Sequence, residues 1–120
     1  MGQNLNITDK PQSRMSEQEW GTLEWRVDDS LAPGAGMSAA VMTLRQGKAS
    51  PPHRHPNSHE FIYVAKGRVE ITVDEKKAAL REGDSIWVPS GTAHGLRNTG
   101  EGDAQMVLSY SAGLRIYEEV

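Results

Sequence analysis

The sequence predicts an all-β fold in a single domain. Three observations carry that expectation. Turn signals recur about every ten residues, short runs between them alternate apolar and polar residues with period two, and the length suits one core. The chain has 120 residues with 37% hydrophobic, punctuated by six prolines and twelve glycines, a composition that fits a compact protein with many turns and not a helical bundle.

Residues 1–19 are polar, lack periodicity and contain Pro11; they read as a flexible N-terminal arm with one turn of helix around residues 16–19. The domain, residues 20–120, starts near Trp20. Leu23, Trp25 and Val27 alternate with Thr22, Glu24 and Arg26, as a half-buried strand requires. After the loop SLAPGAG, residues 37–44 are apolar on both parities and read as a strand covered on both faces, ended by RQGKASPP. Residues 59–65 and 68–73 form two strands around a tight turn at Lys66 and Gly67, and Val69, Ile71 and Val73 share a face. Residues 74–77 are a polar turn, residues 78–80 return, and Gly83-Asp84 turns the chain into residues 85–88. Pro89-Ser90-Gly91 closes that strand, and strands at 93–98 and 104–111 complete the series. No internal repeat, low-complexity block or defensible long helix occurs.

Composition excludes several chemistries. Without cysteine there is no disulfide, thiolate ligand or cysteine nucleophile, so any metal must be held by nitrogen and oxygen. A net charge of −3, from 13 scattered basic and 16 acidic residues, offers no basic stripe for nucleic acid and no basic amphipathic helix for a membrane. No run approaches the length of a membrane span, and MGQNLNITDKPQSR lacks the apolar core of a secretory signal; a cytoplasmic location is expected.

The chemistry is concentrated in two stretches. In GKASPPHRHPNSHEFIYVAKG, His53 and His55 are two apart, so both imidazoles lie on one face of an extended strand. Pro56-Asn57-Ser58 interrupts the strand, and Glu60 can rejoin that face beside Ile62 and Val64, leaving His59 on the other side with Phe61 and Tyr63. In GDSIWVPSGTAHGLRN, a proline and glycine turn precedes His94. Together the stretches resemble the paired motifs of the cupin superfamily: Gly47, His53, His55, Glu60 and Gly67 in the first, Gly83, Pro89, Gly91, His94 and Asn98 in the second. All ten positions agree, which at roughly one chance in twenty each is on the order of one in ten trillion by coincidence at one placement.

The resemblance implies a single cupin barrel, a jelly-roll-like double-stranded β-helix, in which His53, His55, Glu60 and His94 bind one divalent transition metal per chain. Imidazole and carboxylate donors suit Fe, Mn, Co, Ni, Cu or Zn and leave positions open for water, substrate or dioxygen.

Other marked residues take structural readings. His59 is off the ligand parity; Arg54 is a solvated or interface residue; Gly67, Gly83 and Gly91 are turn residues; and Asn98 is a structural hydrogen-bonding residue. Trp20, Trp25 and Trp87 are assigned to core or dimer packing. Tyr110, Met106 and Leu108 share a parity, and one or two of them are expected at the pocket.

By the same resemblance the expected function is a small-molecule metalloenzyme, with dioxygenase chemistry first. The alternatives are a redox-silent lyase, isomerase or decarboxylase, and a non-catalytic small-ligand-binding cupin. No second acid or base and no room for a DNA-binding domain is apparent. Many proteins resembling this one are homodimers in which the N-terminal segment pairs with the partner's sheet and covers an exposed edge, and a homodimer is expected here.

Overall fold

The structure, a computed structural model, describes residues 5–120. Among the described residues eleven strands build two antiparallel sheets: β1 Arg14–Gln18, β2 Gly21–Val27, β3 Ser38–Leu44, β4 His53–Arg54, β5 Glu60–Lys66, β6 Arg68–Val73, β7 Lys76–Arg81, β8 Ser85–Val88, β9 His94–Asn98, β10 Ala104–Tyr110 and β11 Glu118–Glu119. The larger sheet runs β1-β2-β3-β10-β5-β8 and the smaller β11-β4-β9-β6-β7. The all-β cupin expectation holds, although the two sheets are not closed into a barrel.

Period-two alternation places the core between the sheets. In β5, Glu60, Ile62 and Val64 are buried while Phe61 and Tyr63 are exposed; in β10, Ala104, Met106, Leu108 and Tyr110 are buried. Val69, Ile71 and Leu96 meet them from the smaller sheet. The strand β3 differs from expectation: its inward residues are buried but its outward ones only half-buried, so one face carries the packing. In β2 the pairing with β3 shifts at Arg26, because Trp25 pairs with Ala40 and Val27 with Ala39. That bulge leaves Val27 half-buried and is followed by Asp28, which is buried.

The N-terminal region requires the clearest correction. The helical turn expected at 16–19 is instead part of β1, which pairs with β2 from Arg14↔Trp25 to Gln18↔Gly21. The ordered sheet thus begins six residues before Trp20, and β1 covers the edge of its own chain's β2. A short 3-10 turn at Lys10–Gln12 precedes it, capped by the Asp9 side chain. Residues 1–4 of the expected arm lie outside the described residues. β1 exposes most of its side chains, so apolar patterning could not announce it; backbone pairing and Arg14 hold it in place.

Two glycines show why the turns need them. Gly67 has φ 88°, and a Cβ there would lie 3.1 Å from the Ala104 Cα. Gly91, with φ 77°, lets its N–H reach the His55 carbonyl at 2.9 Å. Asn98 is structural, as expected: its Nδ2 donates to the Leu44 and Gly102 carbonyls, and its Oδ1 accepts from Gly100 N–H.

Asp28 joins the arm to the domain. Its carboxylate accepts from Ser30 N–H, Leu31 N–H and Ser30 Oγ, and pairs with the Arg14 guanidinium. Burial opposes its charged form, but these donors outweigh burial and hold its pKa down at about 2. Because the folded pKa lies below the ordinary carboxylate value, the stabilisation is complete above about pH 4 and is lost as pH falls toward 2. Asp28→Ala is expected to lower stability by about 1–3 kcal/mol and to flatten that acid limb; urea melts of both proteins between pH 2 and 7 check this.

Candidate metal centre

The four predicted ligands converge, and they come from both sheets. Glu60 opens β5 in the larger sheet. His53 in β4 pairs directly with His94 in β9 of the smaller one, and His55 follows β4 at the entry to the Pro56-Asn57 turn. One donor atom from each lies within 4.8 Å of all the others. Two donors on one ion at about 2.0–2.2 Å each stand at most about 4.4 Å apart, so a closure of a few tenths of an ångström completes a coordination sphere. His55, Glu60 and His94 are buried, and His53 is half-buried at the cavity.

Backbone carbonyls decide which imidazole nitrogens face the centre. His53 Nδ1 lies 2.8 Å from Pro51 O, His55 Nδ1 2.9 Å from Ile116 O, and His94 Nδ1 2.9 Å from Thr92 O. A carbonyl only accepts, so each Nδ1 carries the proton and donates it. In the neutral imidazole each Nε2 then keeps its lone pair, the arrangement that orients metal-binding histidines, whereas a protonated His94 donates from Nε2 to Glu60. His94 Nε2 sits 2.7 Å from Glu60 Oε1; His55 Nε2 sits 3.3 Å from the same oxygen yet is buried without a hydrogen-bond partner. A buried lone pair with no donor, beside a carboxylate and two further imidazoles, fits a divalent transition metal.

The electrostatics are those of ionisable groups packed closely together away from water. Burial opposes the charge on Glu60, but His55 and His94 outweigh it and hold the carboxyl at about 2. Burial pulls His53 down to about 4, helped by the other two imidazoles. Burial also works against protonation of His94, yet its hydrogen bond to Glu60 prevails and raises its pKa.

The remaining marked residues separate cleanly. His59 is exposed, accepts from Ser90 N–H at 3.1 Å and stands 5.2 Å from the Trp87 ring, so it is no ligand. Arg54 is exposed and pairs with Glu118 at 2.9 Å. Leu108 and Tyr110 line the cavity beside the ligands, while Met106 lies deeper. Of the tryptophans, Trp25 is buried in the core and Trp20 packs against it. Trp20 lines the cavity and Trp87 is 59% exposed on the outer face, because β8 turns its side chain away from the core.

Sequence reasoning missed the C-terminal segment. Asn57 grips it, its Nδ2 donating to Leu114 O and its Oδ1 accepting from Ile116 N–H. There Ile116 supplies the carbonyl for His55, Tyr117 stacks on His53 at 4.8 Å, and Arg115 joins Tyr117 in lining the cavity. The stretch SAGLRIYEEV has no periodicity or motif, so no local signal could have pointed to it.

A two-sheet sandwich whose facing strands bring three imidazoles and one carboxylate to a point defines a β-sandwich with a candidate metal centre. The chain belongs to the cupin family, whose Cupin domain matches residues 40–110. It is 37% identical to Protein SchB of Streptomyces halstedii over 67 residues, 56% of this chain and 49% of that protein. It is 40% identical to quercetin 2,3-dioxygenase of Bacillus subtilis over 52 residues, 43% of this chain and 15% of the enzyme. In three dimensions it superposes on oxalate decarboxylase of Lactobacillus farciminis with TM-score 0.84 and 21% identity, covering 92% of this chain and 34% of that one; this likeness shows the fold. The chain therefore spans about half the length of SchB and a smaller part of the other two.

His53→Ala and His94→Ala are each expected to abolish stoichiometric metal binding, with the far-ultraviolet circular dichroism unchanged; a variant that keeps one metal per chain would refute its residue as a ligand. Acidification is expected to release the metal, because a proton on His94 takes the lone pair the ion needs. Metal retained by dialysed protein across a pH series measures this.

Proposed function

We propose that His53, His55, Glu60 and His94 hold one divalent transition metal and that the chain is a small-molecule metalloenzyme with dioxygenase chemistry. The observation that carries the reading is the buried, partnerless His55 Nε2, aimed with three other donors at a point beside a largely apolar cavity. The partial likeness to quercetin 2,3-dioxygenase supports the choice of reaction. When bound, such an ion supplies Lewis acidity and coordination positions open to substrate oxygen and to dioxygen.

The chain's own residues do the rest. Glu60 offsets part of the dication's charge where bare charge is costly. Leu23, Met42 and Leu108 wall the cavity against water and favour a substrate with an apolar body. Tyr110 is fully buried there; burial and the charge of Glu60 push its pKa well up, so its hydroxyl keeps its proton and acts as a hydrogen-bond donor, not as a base.

Elemental analysis of protein purified without added metal, followed by oxygen uptake on samples reconstituted anaerobically with Fe(II), tests the proposal across small acids and phenols. Iron near one per chain with substrate-dependent uptake is expected. Zinc, nickel or manganese without uptake would replace dioxygenase chemistry with a lyase, isomerase or decarboxylase, and no metal would leave a ligand-binding cupin.

The same reading includes a homodimer. Its support is the outer face of the larger sheet, where Phe61 pairs with Trp87 and Tyr63 with Val107, and all four are exposed. Light scattering at micromolar concentration is expected to return twice the chain mass; the chain mass would overturn it. No helix among the described residues is long and apolar enough to cross a membrane.

A further inference from the structure

We infer that Arg115 is the specificity-determining residue of the cavity and that it binds the carboxylate of an organic acid whose apolar body lies along the cavity wall. The inference rests on the reading of this cavity as the substrate site. It names the substrate class through a residue that lies outside both metal-binding stretches.

The guanidinium of Arg115 is held by aromatic rings and not by acids. Its Cζ lies 4.9 Å from the Trp25 ring centroid, 5.0 Å from Tyr110 and 5.5 Å from Tyr117. No carboxylate among the described residues pairs with it. Its Nε is buried with no hydrogen-bond partner. Ring faces compensate a cation in part, but they cannot accept an in-plane N–H bond, so the fork keeps unmet donor capacity. The side chain lines the same cavity as His53, Glu60 and His94. A planar carboxylate is the group whose geometry matches two parallel guanidinium N–H bonds.

Distance limits what such a ligand can be. Tyr110 stands 5.1 Å from His55 and 5.0 Å from Arg115, and Tyr117 stands 4.8 Å from His53 and 5.5 Å from Arg115. Each tyrosine ring therefore neighbours both a ligand histidine and the guanidinium. Only a small acid suits this cavity, whose lining includes both Arg115 and the ligands His53, Glu60 and His94. One cation among Trp20, Leu23, Met42 and Leu108 suits a monoanion with an apolar body better than a multiply charged phosphate.

The probes are benzoate, its uncharged counterpart benzamide, and inorganic phosphate, titrated into chelator-treated and metal-loaded protein by calorimetry. In the metal-free protein benzoate is expected to bind roughly 10- to 100-fold tighter than benzamide, the range of a charged hydrogen-bonded contact. Arg115→Met, which keeps an unbranched apolar stem over the rings, is expected to erase that preference while metal content stays at the wild-type value. Arg115→Lys is expected to recover only part of it, since an ammonium lacks the fork. Equal affinity for benzoate and benzamide in the wild type, no benzoate binding, or a preference that survives in Arg115→Met overturns the inference; phosphate binding tighter than benzoate overturns the carboxylate class. If Arg115→Met does not fold, the wild-type comparison and Arg115→Lys decide. Absence of metal from the wild type would defeat the metalloenzyme reading alone, because the metal-free titration judges Arg115 separately.

Discussion

The carboxylate of Glu60 is 3% exposed, on a strand whose other inward residues are Ile62 and Val64. A charge in that position is affordable only if cationic or strongly donating groups surround it. His94 meets that requirement from the opposite sheet when its Nε2 donates to Glu60 Oε1 at 2.7 Å, and the need to bring it there shapes the local fold. Glu60 begins the strand that pairs with both β10 and β8, so its position is set from two sides: by Tyr110 across one ladder and Val88 across the other. Moving it would disturb both ladders. The candidate centre is therefore part of the contact between the two sheets.

That contact is reinforced by a chain of turn interactions. Gly91 N–H donates to His55 O, Ser90 Oγ donates to Pro56 O, and Ser90 N–H donates to His59 Nδ1. The turn after the first histidine pair is thereby docked on the turn before His94. Asn57, in the first of these turns, holds the C-terminal segment, whose Ile116 carbonyl orients His55 and whose Tyr117 covers His53. A polar network of this kind is stable when its members are satisfied, and the unsatisfied ones stand out for that reason. Two buried side-chain nitrogens among the described residues lack partners, His55 Nε2 and Arg115 Nε; Arg115 lines the cavity and His55 belongs to the ligand cluster beside it.

Legibility in the sequence followed how locally each feature is determined. The inward face of β5 was readable because alternation and strand geometry share a period of two, and the break at Pro56-Asn57-Ser58 explained how Glu60 could rejoin the histidine face. The strand β1 was not readable, since its side chains are mostly exposed and its stability comes from backbone pairing and the Arg14–Asp28 contact. The sequence left Trp87 between core and dimer packing, because hydrophobicity alone does not say which face of a strand a large ring occupies; the structure puts it on the outer face. The bulge at Arg26 shows the same limit from the other direction: one shift in register takes Val27 off the buried face that simple alternation gave it.

The sequence by itself determined the all-β class, most strand positions and the identity of the four candidate ligands. Each of these is written in short spacings, from the two-residue step between His53 and His55 to the glycines that permit left-handed turns. Only the tertiary structure decided the orientation of His55, because its carbonyl partner lies 61 residues away, and only it placed Arg115 and Tyr117 at the cavity. His53 and His94 take their carbonyls from two residues upstream, within reach of local sequence. The groups around the ligands come from a segment with no pattern of its own, whose position depends on the docking of Asn57 and on folding of the whole chain.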